Sequence, residues 1–148
     1  YKMQQFYLLE PERIHNGTMC GYIFQFPITE TAFPRFFDIK VSGDEFYFEN
    51  IIDYMKKAMD GFNKLDVDDG WKRQVLVNCN MVILSAELCL IRLSQTATNE
   101  KIDELVNLAD EIATEYATLW DIENYPKGKD HYLNQVADRR KELIAMKK

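Results

Sequence analysis

Residues 75–93 read VLVNCNMVILSAELCLIRL, and apolar side chains fall on nearly every face of the helix that this stretch predicts. A helix that is apolar all round is covered by other elements on several sides. Five polar residues interrupt the stretch: Asn78, Asn80, Ser85, Glu87 and Arg92. These interruptions argue against a membrane-spanning helix. We therefore expect a central, buried helix over residues 70–95.

Three further helices are predicted around the central one. Residues 44–65 and 100–122 carry apolar side chains three and four positions apart, and residues 130–146 repeat them in a near-heptad pattern. Acceptor side chains stand where helices would begin, at Asp68 or Asp69, at Thr98 or Asn99, and at Asp130. Four helices with short links predict a mainly α fold, an antiparallel bundle of about four helices.

Residues 1–43 differ from the rest of the chain and predict an extended aromatic arm or linker. Pro27 and Pro34 exclude a helix there. An alternation that suits a short strand is carried by Tyr22, Phe24 and Phe26. Exposed aromatic side chains in such a number indicate a partner surface. Residues 44–148 then form the helical bundle domain. Because the chain starts at Tyr1 rather than Met, we expect it to be part of a longer protein.

Charge and cysteine content narrow the classes of partner. The net charge of −6 argues against nucleic acid and against an anionic membrane surface. Cys79 and Cys89 lie ten positions apart on one predicted helix, which separates them by about 15 Å along its axis. That distance is too long for a disulfide, so buried free thiols are expected. Together with Cys20, they favour a reducing compartment and predict a cytoplasmic location.

Asp44 and Glu45 follow an extended-looking stretch, as catalytic carboxylates do in some sugar hydrolases. The interpretation that we prefer is a helix start, because acceptors and acids favour the first turn. The hypothesis that the chain is a small enzyme in its own right would rest on this pair.

The remaining candidate sites favour structural interpretations. DVDDG, residues 66–70, has its glycine at the wrong offset for a calcium loop and predicts a cap and turn. His15 and His131 have no partners at metal-ligand spacing. Asn16 begins a glycosylation-type triplet, for which a simple turn is the preferred interpretation. The acidic pairs of the third helix predict a solvated face. The sequence predicts no catalytic residue, cofactor or metal site.

Residues 119–128 read LWDIENYPKG and predict a corner between the third and fourth helices. Pro126 bars the residue before it from helical geometry, and Gly128 supplies a backbone position that other residues tolerate poorly. Large amphipathic rings can seal the joint. We assign this structural corner to Trp120, Asn124, Tyr125, Pro126 and Gly128.

This corner, followed by RRKEL at residues 139–143, resembles the closing helical segment of bacterial glycoside hydrolases of family 20, the β-N-acetylhexosaminidase type. The positions that match are Leu119, Trp120, Asn124, Pro126, Gly128, Arg139 or Arg140, Glu142 and Leu143. Tyr125 stands where the family pattern has Arg, and Lys129 where it has an apolar residue. The resemblance is clearest over residues 104–143 and does not cover residues 1–43.

The resemblance implies a non-catalytic C-terminal helical domain that supports a sugar-cleaving barrel. The partner of this domain would be the catalytic domain of the same protein. The resemblance is also compatible with a homodimer. The catalytic Asp and Glu would lie upstream, so no catalytic residue is transferred to this chain. The alternative is a stand-alone helical module for protein interaction or oligomerisation.

Overall fold

The computed structural model describes residues 27–28, 45–123 and 129–148, with the backbone alone at residues 45–47 and 123. Its described part contains four helices: α1 (Glu45–Asn63), α2 (Asp69–Ser94), α3 (Asn99–Glu123) and α4 (Lys129–Ala145). The predicted mainly α bundle is confirmed, and each predicted helix boundary falls within two residues of the observed one. The predicted arm, apart from Pro27 and Ile28, lies outside the described residues.

Side-chain caps fix where two of the helices begin. The Asp68 carboxylate accepts a hydrogen bond from the Trp71 backbone N–H at 3.0 Å, and the Thr98 hydroxyl accepts one from the Lys101 N–H at 3.2 Å. Both residues were predicted as caps. Asp130 was predicted as the cap of α4, but it lies inside the first turn of that helix, which begins one residue earlier.

The antiparallel order of α3 and α4 follows from three ion pairs along one seam: Asp103–Lys147, Asp110–Arg140 and Asp121–Lys129. The partners advance by seven and then eleven residues on α3, and they retreat by seven and eleven along α4 and the two residues that follow it. Seven and eleven residues are about two and three helical turns, so each set forms a row on one face. Residues 99–123 carry eight acids and one base, whereas residues 129–148 carry six bases and three acids.

The order of α2 and α3 is set in the same way. Arg73 pairs with Glu115 at 2.8 Å, and Lys101 pairs with Glu87 at 2.7 Å. The partners lie fourteen residues apart on both helices, which is about four turns. The helices therefore run antiparallel over most of their length.

Two apolar clusters lie on different sides of α2, which explains its apolar character all round. The main core joins α2, α3 and α4 and consists of Ile28, Val77, Leu84, Leu88, Ile91, Ile102, Leu105, Ala109, Ile112, Leu119, Val136 and Leu143. The α1 layer joins α1 to α2 and consists of Phe48, Ile51, Ile52, Met55, Cys79, Ile83, Ala86 and Cys89.

By length and composition alone, α2 is the one helix in the described part of the chain that could cross a membrane, contrary to what its polar interruptions predict. The core helix of a soluble protein meets the same criteria, and 61% of the most apolar window of α2 is buried inside the structure. Length and composition are therefore a weak indication of a membrane span.

Candidate functional site

The described part of the predicted corner lies at the joint between α3 and α4. The Trp120 ring centroid is 5.4 Å from that of Tyr116, which in turn stacks on Tyr132 of α4 at 5.2 Å. Burial raises the pKa of the Tyr132 hydroxyl, as expected for a ring that closes a helix joint. The other four corner residues, Asn124, Tyr125, Pro126 and Gly128, lie outside the described residues, so their role stays a prediction.

The other predicted candidates take structural positions. Glu45 is the first residue of α1, while its side chain and Asp44 lie outside the described residues. DVDDG supplies the Asp68 cap, as predicted. His131 is exposed and its imidazole bonds the Gln135 amide at 3.1 Å. Across residues 27–28, 45–123 and 129–148, no group of three His, Cys, Asp or Glu side chains could hold a metal ion. His15, Asn16 and Cys20 lie outside this part.

The two cysteines on α2 form no disulfide and are buried in the α1 layer, which confirms the prediction for them. Burial raises the pKa of the Cys79 thiol above its ordinary value of 9.0. A thiol held in its neutral form is a poor nucleophile. Cys79 therefore packs the helix interface and is unsuited to covalent catalysis.

A more distinctive arrangement lies between α2 and α4, where the segment Pro27–Ile28 enters the bundle. The Arg92 guanidinium of α2 donates a hydrogen bond to the Pro27 carbonyl oxygen at 2.5 Å. The Ile28 N–H donates to the Glu142 carboxylate of α4, also at 2.5 Å. The carbonyl and the N–H belong to one peptide bond and point in opposite directions. The two helices therefore hold that peptide bond from both sides.

The Ile28 side chain completes this arrangement. We call the side that receives it the slot and define the slot by Arg92, Arg139 and Glu142. Ile28 is 1% exposed and belongs to the main core. Pro27, which directly precedes it, is exposed, so the chain passes from solvent to core within two residues.

Charged side chains surround the bound peptide group. Arg92 is 3% exposed and Arg139 is 6% exposed. The Arg139 guanidinium lies 2.8 Å from the Glu142 carboxylate oxygen that does not bond Ile28. Buried charges are costly unless they are paired and hydrogen-bonded. One carboxylate therefore satisfies both the Arg139 charge and the Ile28 N–H, which fixes the three groups relative to one another.

No local pattern in the sequence predicts the slot. Arg92 was interpreted as an interruption of an apolar stretch, and Glu142 entered only through the family resemblance. Ile28 was not singled out. A charged residue inside a helix that is otherwise buried is the signal that points to a partner, because its charge must be satisfied. Arg92 lies 65 positions from Pro27 in the chain, and Glu142 lies 114 positions from Ile28.

An open groove of about 610 Å³ lies over α2 between α1 and α3. Its apolar lining comes from Met59, Leu76, Val77 and Ile112, and its polar lining from Arg73, Asn80, Asp110, Glu111, Thr114 and Glu115. Arg73 and Glu115 pair with each other, and Asp110 pairs with Arg140. Most of the charged rim is thus engaged in ion pairs between helices.

Comparisons with protein-family models, with curated proteins and with solved structures find no match to this chain.

Proposed function

We propose that this chain is a non-catalytic helical domain that packs against the rest of a larger protein. The slot is the observation that carries this proposal. A residue from outside the four helices is buried in the main core and held there by the buried Arg92 side chain of α2 and the half-buried Glu142 side chain of α4. Such an arrangement joins a preceding segment to a bundle and requires no reactive group.

The finer form of the proposal makes the parent a sugar-cleaving enzyme of the β-N-acetylhexosaminidase type. Its support is the resemblance of residues 104–143, whose described members have packing roles. Leu119 and Leu143 belong to the main core. Arg139 and Glu142 belong to the slot. The catalytic domain of the same protein is then the proposed partner, and the buried thiols of α2 support a cytoplasmic location.

A second candidate function, a stand-alone interaction or oligomerisation module, is favoured by one end of the bundle. Of the four large apolar side chains that are exposed within the described residues, three lie where α1 ends, α2 begins and α3 ends: Leu65, Trp71 and Ile122. Ile122 is 70% exposed and Trp71 is 52% exposed. Apolar side chains gathered on a surface often mark a contact with another protein.

Size and activity of the native product distinguish the two candidates. An antibody raised against this chain is used to blot extract from the source cells and to purify the product that it recognises. The proposal predicts a band far above 17.5 kDa whose immunopurified material hydrolyses a chromogenic β-N-acetylhexosaminide. A large product without hydrolysis would retain the packing domain and reject the sugar-cleaving parent. A band near 17.5 kDa would reject both and favour the stand-alone module.

Exposed-surface variants test the module directly. Trp71→Ser and Ile122→Ser are compared with Lys72→Ser, a polar neighbour on α2, by light scattering of the purified chain. The module predicts an oligomer that the first two changes weaken and the third leaves intact. A monomer at all concentrations would argue against it.

A further inference from the structure

We propose that the slot can also act in trans and accepts the Pro27–Ile28 segment of a second copy of this chain when its own segment is displaced. This inference concerns the slot itself and holds whether or not the parent protein cleaves sugars. The occupant is specified by its chemistry: a segment whose peptide group is free to form hydrogen bonds and is followed at once by an aliphatic side chain.

The recognition groups of the slot all belong to the bundle. The donor to the Pro27 carbonyl is on α2, the acceptor for the Ile28 N–H is on α4, and the apolar surroundings of Ile28 come from the main core. None of these contacts depends on the covalent link between Ile28 and α1. A second copy presents the same peptide group and the same side chain, so it can make every one of these contacts.

The length of the link allows the exchange. Sixteen residues, 29–44, separate Ile28 from the start of α1. A chain of that length reaches at most about 55 Å. The longest helix, α2, has 26 residues and is about 39 Å long. The segment of one copy can therefore reach the slot of a neighbour while its own α1 stays packed on α2.

Because the contacts are identical in cis and in trans, the concentration of each segment decides which one occupies the slot. A tether of this length gives its own segment an effective concentration on the order of millimolar. At lower protein concentrations the cis segment wins, and exchange between copies prevails when the cis segment is disabled. Exchange of an identical element between protomers is a recognised route to dimers.

The experiment separates the segment from the slot in two full-length variants. The acceptor, Ile28→Ala, keeps its slot but has a poor segment. The donor, Arg92→Met, keeps its segment but lacks the group that holds the Pro27 carbonyl. Each is measured alone and mixed at about 0.1 mM by light scattering and thermal unfolding. The expected result is a heterodimer of about 35 kDa, twice the chain mass, and recovery of at least half of the loss in Tm that Ile28→Ala causes.

The matched control is a donor that carries both Ile28→Ala and Arg92→Met, which should form no heterodimer with the acceptor. A synthetic peptide of residues 22–33 serves as a second donor that requires no folding. It should raise the Tm of the acceptor, whereas the same peptide with Ala at position 28 should not. If the acceptor is folded by circular dichroism and neither donor forms a complex or raises its Tm, the slot serves its own segment only and the proposal is wrong.

Discussion

The two sides of α2 are covered in different ways. On the side of α1 the cluster is made of aliphatic, aromatic and sulfur-containing side chains, and it includes both cysteines of the helix. On the side of α3 and α4 the apolar main core ends at the slot, where the buried Arg92 and the half-buried Glu142 hold a peptide bond. One helix thus supports two interfaces of different selectivity.

This difference shows that burying apolar surface and selecting one particular partner have different physical causes. Apolar burial is non-directional, and its strength depends mainly on the area removed from water. A second amphipathic helix of suitable shape could satisfy the α1 side. Buried charges demand partners at defined positions, because a charge left unpaired is strongly destabilising. We infer that the slot selects one segment in one position.

The two largest effects on stability test whether the α1 layer contributes as much to the free energy of unfolding as the main core does. Ile51 and Ile112 are each 1% exposed and belong to the α1 layer and the main core, respectively. Replacing either with Ala should lower the free energy of unfolding by about 3 kcal/mol, because burial is lost and a cavity is left. Urea denaturation monitored by circular dichroism measures both variants.

Ile122→Ala is the control for this pair, because Ile122 is largely exposed and should lose less than about 0.5 kcal/mol. A cost for Ile51→Ala close to that of Ile122→Ala, beside a large cost for Ile112→Ala, would show that α1 is only loosely attached. The comparison between two supporting interfaces would then fail.

The next effect tests the charged side of the comparison. Glu142→Ala removes the acceptor of the Ile28 N–H and the carboxylate that faces Arg139. We expect a loss of about 2–4 kcal/mol in the free energy of unfolding. Asp138→Ala is the control on the same helix, since its pair with Lys141 is mostly exposed and should contribute less than about 0.5 kcal/mol. Equal costs for the two changes would mean that the slot is no more than a surface pair.

A smaller effect concerns the pair between Lys101 and the buried carboxylate of Glu87. Lys101→Met keeps the apolar stem and should cost about 1 kcal/mol. Burial lowers the pKa of the Lys101 ammonium, but the hydrogen bond and charge of Glu87, with those of Glu104, raise it overall above 10.5. A raised pKa means that the stabilisation is complete below the unfolded value and is lost as pH rises through the folded one.

The pH series for this pair compares the chain with its Lys101→Met variant from about pH 7 to pH 11. The difference in unfolding free energy should hold steady to about pH 10 and shrink above it. A difference that instead disappears between about pH 9 and pH 7 would reverse the sign and contradict the assignment.

The smallest effect is expected at the exposed pair between Arg73 and Glu115, which are 2.8 Å apart. A double-mutant cycle with Ala at both positions should give a coupling of about 0.3 kcal/mol that vanishes in about 1 M salt. A coupling that equals the Glu142→Ala cost and persists in high salt would show that this exposed pair stabilises the bundle as much as the slot does.

The bundle was predictable because its signals are local. Apolar periodicity set the helices to within two residues, and the caps Asp68 and Thr98 marked two of their starts. The slot was not predictable, since a pattern on one helix does not say which distant residue will satisfy it. Arg92 could be recognised as a buried charge, but its carbonyl partner lies 65 positions away in a stretch without helical periodicity.

The most direct test of the slot is the hydrogen-exchange rate of the Ile28 amide in the full-length chain, measured by NMR. We expect this rate to be slowed by a factor on the order of 10³ relative to an exposed amide, because the N–H of the buried Ile28 is bonded to Glu142. We also expect that Glu142→Ala removes most of this protection while the amides of α1 stay protected. Exchange of the Ile28 amide at the rate of an exposed amide in the unaltered chain would show that the bundle does not hold this segment.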